Sequence, residues 1–142
     1  MKTGFTLVEI LIVVVILGIL AAIVVPQFTD ASNEAKLASL RCDLQTLRSQ
    51  IELYKIQHND IPPTLADFTD QMTKYTDVAG VLQPAAGPGV YGPYIQTIPV
   101  NQFNDLDTVL STPPAGNNGG GWEYDQTTGA IYADDDPNHA KL

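Results

Sequence analysis

The chain has 142 residues with seven Lys or Arg against sixteen Asp or Glu, a formal net charge of -9, and that length bounds it to one domain. Eleven acids follow His58 (Asp60, Asp67, Asp70, Asp77, Asp105, Asp107, Glu123, Asp125, Asp134, Asp135 and Asp136) against only Lys74 and Lys141; without a basic cluster to meet phosphate, this argues against a nucleic-acid partner and reads as a solvated surface. One cysteine, Cys42, excludes an intrachain disulfide and a cysteine-based zinc site.

From Phe5 to Val25 there are twenty-one residues with a single charge, Glu9. As a helix they span roughly 31 Å, the thickness of a bilayer's hydrocarbon core. The run is longer than the apolar region of a secretory signal peptide, and no Ala-x-Ala site follows Leu20. Lys2 on the short side and the acidic bulk on the other place the N-terminus in the cytoplasm and the remainder outside. Glu9 needs a reason, because a carboxylate at mid-membrane costs about 2.5 to 3.5 kcal/mol, and less near the interface. Either it snorkels to the headgroups from the first turn, or it awaits a cation. If the chain is cut after Gly4, the new amine of Phe5 lies in the same layer.

Gly4-Phe5-Thr6-Leu7-Val8-Glu9 after a short basic leader, followed by an unbroken apolar run, resembles the prepilin processing motif of type IV pilins and type II secretion pseudopilins. The resemblance implies cleavage between Gly4 and Phe5 by a prepilin peptidase, N-methylation of Phe5, and pairing of Glu9 with a neighbouring subunit's amine during assembly.

Gly18 and Pro26 interrupt the helix, and a proline removes a backbone bond and crowds the preceding turn, so a bend is expected near Ala22. The resemblance implies local unfolding here as subunits pack into a fibre. Leu37, Leu40, Leu44, Leu47, Ile51 and Tyr54 then recur at spacings of three and four, the stripe of an amphipathic helix packed along one face. A single helix over 5–58 would run about 80 Å. Cys42 lies off that stripe and reads as a small helix residue. His58, sixteen residues along, is about 24 Å away and too far to serve it as a base.

Pro62-Pro63 ends this element. Thr64 with Asp67, then Leu65, Phe68, Met72 and Tyr75, predicts a short capped helix. Residues 79–92 read as a Gly/Pro-rich loop. Its string Gly87-x-Gly89-x-x-Gly92 is no dinucleotide site, for Pro93 follows where a helix is needed and no strand precedes it. Residues 94–100, limited by Pro99 to an edge or an irregular extended segment, and 107–110 are possible strands. Trp122–Asp125 and Ala130–Ala133 predict a hairpin joined by residues 126–129, with Trp122, Tyr124, Ile131 and Tyr132 as packing residues.

A second set of blocks, residues 50–55, 59–62 and 92–99, is similar in sequence and order to the major pseudopilin of type II secretion. The C-terminal third departs from that pattern: the usual calcium-loop sequence is replaced by Trp122–Asp136. Asp134, Asp135 and Asp136 can offer oxygen ligands to calcium, but their spacing does not match a calcium loop, and a solvated acidic tail is the alternative. No hydrolase, metalloprotease or nucleotide-loop motif occurs, so no enzyme is read here and no cofactor other than calcium.

The expected fold is α+β and pilin-like, a long N-terminal helix packed on a small antiparallel sheet. Its parts are a leader (1–4), a transmembrane and fibre-core helix (5–25), an amphipathic helix (26–58) and an acidic head (59–142). The expected function is that of a structural subunit polymerising into a type II secretion pseudopilus. A surface type IV pilin and a monomeric membrane-tethered binding module are the alternatives. By resemblance the partners are further copies of the chain in a helical filament, the prepilin peptidase, inner-membrane assembly machinery and lipid. The location is the bacterial inner membrane, single-pass, with the head periplasmic or extracellular.

Overall fold

The structure, a computed structural model, describes residues 4–111 and 116–142. Of the expected leader, residues 1–4, all but Gly4 therefore lies outside the described residues, Lys2 included. Two compact units divide the chain, Met1–Leu37 and Ala38–Leu142. Helix α1, Leu7–Gln57, contributes to both.

In the first unit α1 is apolar from Leu7 to Pro26 apart from Glu9, and the side chains there are exposed: Leu11 is 58 % exposed and Ile16 51 %, as is Phe28 beyond the proline at 74 %. The helix continues through Gly18 and Pro26. Past the proline, the Thr29 hydroxyl donates to the carbonyl of Val25 at 3.2 Å, a side-chain bond of the kind that satisfies backbone acceptors in apolar helices.

In the second unit the amphipathic stripe becomes a core. Leu40, Leu44, Leu47, Ile51 and Tyr54 are at most 2 % exposed, together with Phe68, Met72, Trp122, Tyr124, Ile131 and Ala133. The helix ends by backbone geometry before it reaches the prolines: Asn59 and Asp60 both have positive φ, and Asp60 N–H closes onto the Lys55 carbonyl at 2.8 Å, the long bond of a Schellman ending. His58 sits at this end, buried and stacked on Tyr54 at 3.7 Å. Its Nδ1–H donates to the Tyr54 carbonyl, leaving Nε2 to accept from the Thr76 hydroxyl.

The next helix, α2, spans only Phe68–Thr73, shorter than expected. Residues 65–67 form a turn instead, with Thr64 N–H donating to Gln71 Oε1 at 2.8 Å and Leu65 N–H to Gln126 Oε1 at 2.7 Å. Tyr75, expected on its apolar face, instead opens strand β1, Tyr75–Asp77. Part of the expected loop is also sheet: β2 (Leu82–Gln83) and β3 (Val90–Tyr91) flank β1 in antiparallel order β2-β1-β3. Strands of two residues carry no alternation to read, and a side chain sets the turn between β1 and β2, where Asp77 accepts the amides of Ala79 and Val81.

Residues 94–100 are irregular, with the amides of Tyr94 and Ile95 both donating to Met72. A second sheet follows in the order β4-β5-β6. Strands β5 (Trp122–Asp125) and β6 (Ala130–Ala133) form the predicted hairpin, Trp122 opposite Ala133 and Asp125 opposite Ala130. Strand β4 (Val109–Ser111) joins β5 in parallel. The single antiparallel sheet of the sequence reading is thus two three-stranded sheets, one of them mixed. Hydrogen bonds fasten the hairpin to the rest of the unit. Tyr124 donates to the Pro63 carbonyl at 2.9 Å, Trp122 Nε1–H to Pro99 at 2.7 Å, and the Arg48 guanidinium to the Ile131 and Leu142 carbonyls.

Candidate functional site

The sequence places its most specific signal where α1 starts. Gly4 and Phe5 precede the helix, and Phe5 is 83 % exposed. A Cβ added at Gly4 would meet nothing within 4 Å among the described residues, and both residues lie outside the helix.

Thr6 is the cap of the helix. Its hydroxyl accepts the Glu9 amide at 3.2 Å. In return, Glu9 Oε2 accepts both the Thr6 amide and the Thr6 hydroxyl at 2.7 Å. This is a capping box, in which a residue before the helix and an acid three positions on satisfy each other's backbone donors. The sequence reading gave Thr6 no role, although Thr-x-x-Glu ahead of an apolar run is the signal for it. Glu9 therefore holds its charge at the positive end of the helix dipole, on polar donors, at the start of a helix with no other acid before Asp30. Among the described residues, α1 is the one helix long and apolar enough to cross a membrane by length and composition.

The remaining candidates lie elsewhere. Gly18 and Pro26 are interior positions of α1, and Cys42 is an exposed thiol on the same helix. Gly87 to Gly92 contributes strand β3 and leads into Pro93. Asp134, Asp135 and Asp136 do not converge. Asp134 is buried on loop amides, Asp135 engages Asn101 and His139, and Asp136 caps Asn138. Among the described residues no group of three or more His, Cys, Asp or Glu is placed to hold a metal.

Comparison with known proteins agrees with this geometry. Residues 1–25 match the family model described as the prokaryotic N-terminal methylation motif. Several proteins named type II secretion system core protein G are similar to the chain. That of Aeromonas hydrophila is 31% identical over 112 residues, covering 78% of this chain and 73% of the relative. That of Vibrio cholerae is 32% identical over 110 residues, covering 78% and 71%. The Pseudomonas aeruginosa protein is 43% identical over 63 residues, 44% of either chain, so that alignment spans less than half of the relative. No solved structure matches significantly. With a methylation motif at its start and relatives aligned over most of its length, the chain belongs to the family of type II secretion system core protein G, the major pseudopilin.

Proposed function

We propose that the chain is a structural subunit that polymerises through 5–25 into the pseudopilus of a type II secretion system, and that it has no catalytic role. The observation that carries this is the start of the first unit, residues 5–25: an apolar helical segment exposed on every side, with its one carboxylate held at the tip by Thr6. Such a surface needs lipid before assembly and other copies of itself afterwards. The precursor inserts with its N-terminus in the cytoplasm. A prepilin peptidase cuts after Gly4 and methylates Phe5, and assembly machinery of the inner membrane draws the helix out of the bilayer. The freed amine of Phe5 then gives Glu9 of a neighbouring subunit a cationic partner. Charge pairing sets the register, and apolar packing supplies most of the cohesion. Bending or local melting between Gly18 and Pro26 adjusts the helix to its neighbours, while the acidic head faces outward in the periplasm.

Two substitutions separate pairing from capping. Glu9→Gln keeps a side-chain acceptor for the Thr6 donors and loses the charge, whereas Glu9→Ala loses both. In cells carrying the secretion machinery, both variants are expected to insert normally and to yield few fibres by electron microscopy. Fibre numbers at wild-type level for Glu9→Gln would show that the cap matters and would overturn the pairing.

A further inference from the structure

Within Ala38–Leu142, five consecutive backbone amides end on one residue. Gly116 and Asn117 donate to Oδ1 of Asp134 at 3.0 and 3.1 Å, and Gly119 and Gly120 donate to Oδ2 at 3.0 and 2.8 Å. The amide between them, of Asn118, donates to the Asp134 main-chain carbonyl. Asp134 is 2 % exposed, and its own amide returns to the Gly121 carbonyl at 3.2 Å. Consecutive amides turned inward in this way make a concavity for an anion, and here the chain supplies that anion itself.

The loop's sequence follows from this job. Gly116 and Asn118 have positive φ, which suits glycine and asparagine. A Cβ on Gly116 would lie 2.4 Å from the Pro137 nitrogen, and one on Gly121 would lie 2.2 Å from the Leu106 carbonyl. Neighbouring side chains complete the fastening: Asn104 Nδ2 donates to the Gly120 carbonyl at 2.8 Å, and Asn101 Nδ2 to the Gly121 carbonyl at 3.0 Å and to Asp135 Oδ1 at 2.7 Å.

Calcium is what the family resemblance implies for this part of a major pseudopilin, and this donor set does not fit it. A hard cation takes six to eight oxygen ligands. Both oxygens of Asp134 face N–H hydrogens, two each, and a cation there would confront the positive ends of four backbone dipoles. Asp135 is spent on Asn101 and His139, and Asp136 Oδ1 on the Asn138 amide at 2.7 Å. We infer that the buried Asp134 carboxylate is an internal anion that folds the loop of residues 116–120, so that the head of this chain holds its C-terminal region without calcium.

The full-length chain in detergent micelles tests this by near-ultraviolet circular dichroism during heating. The same Tm is expected in EDTA and in millimolar calcium chloride. Asp134→Asn, which turns a donor toward the Gly119 and Gly120 amides, should lower Tm by roughly 10 °C in both buffers, the scale on which loss of charge-assisted hydrogen bonds moves a domain of this size. Asp136→Asn, whose amide oxygen can still accept the Asn138 N–H, should leave Tm nearly unchanged. A wild-type Tm that falls by several degrees in EDTA and recovers with calcium would overturn the inference. If Asp134→Asn does not fold, the wild-type comparison still decides.

Discussion

Glu9 and Glu123 are two carboxylates in opposite circumstances. Glu9 is exposed, with a cap to hold it. Glu123, on β5 between Leu110 and Tyr132 in register, is 3 % exposed, and its Oε2 has no hydrogen-bond partner. Burial, with the nearby Asp134 charge as a smaller cause, pushes its carboxyl above the ordinary 4.5. A raised folded value means that the native state favours the protonated form. The stability this contributes is present at acid pH and is lost as pH rises from near 4.5 through the folded value. Glu123→Gln, neutral at every pH, should therefore be more stable than the parent at pH 7, by a margin that shrinks as pH falls toward 4.5. Melting both proteins across that range checks it; a margin independent of pH would contradict the assignment. The sequence shows Glu123 as a polar residue in an alternating strand and gives no sign of its burial, because the strands that flank it, with Leu110 and Tyr132 opposite, are brought there by tertiary pairing. The Thr6–Glu9 cap, by contrast, is a local pattern three residues long and needs no tertiary information.

Among the elements, those with enough repeats of a period were open to sequence reasoning. Five turns of three-and-four spacing from Leu37 to Tyr54 specify the buried face of α1. The alternation of Trp122–Asp125 and Ala130–Ala133 around a glycine-ended turn specifies β5 and β6 to the residue. Strands β2 and β3, at two residues each, are shorter than one full alternation, and backbone pairing with β1 places them. The parallel contact of β4 with β5 is equally invisible, since nothing local encodes which strand a third one joins. The stripe of α1 also carries a quantitative expectation. Leu47, with no exposed surface, loses its burial and leaves a cavity on truncation, so Leu47→Ala should destabilise the head by about 2 to 5 kcal/mol. Chemical denaturation of the full chain measures this. A loss below about 1 kcal/mol would mean that the stripe is not the head's core.

For the molecule as a whole, the chain divides into a unit whose apolar helix is exposed, Met1–Leu37, and a unit with a buried core, Ala38–Leu142; on the proposed function the first meets further copies of the chain. The same proposal makes the processed form the one that assembles. Protein recovered from membranes of a host expressing a prepilin peptidase is expected to have a mass beginning at methylated Phe5. An intact Met1 there, with the peptidase shown active on another substrate, would return the chain to the class of simple membrane anchors. The division of labour also has a spectroscopic side. The sole tryptophan of the sequence, Trp122, is fully buried and ties its indole N–H to Pro99. Its emission is thus a built-in gauge of the head alone, so an experimenter can watch fibres grow or dissolve by light scattering while the colour of that emission reports, in the same cuvette, whether the heads have stayed folded.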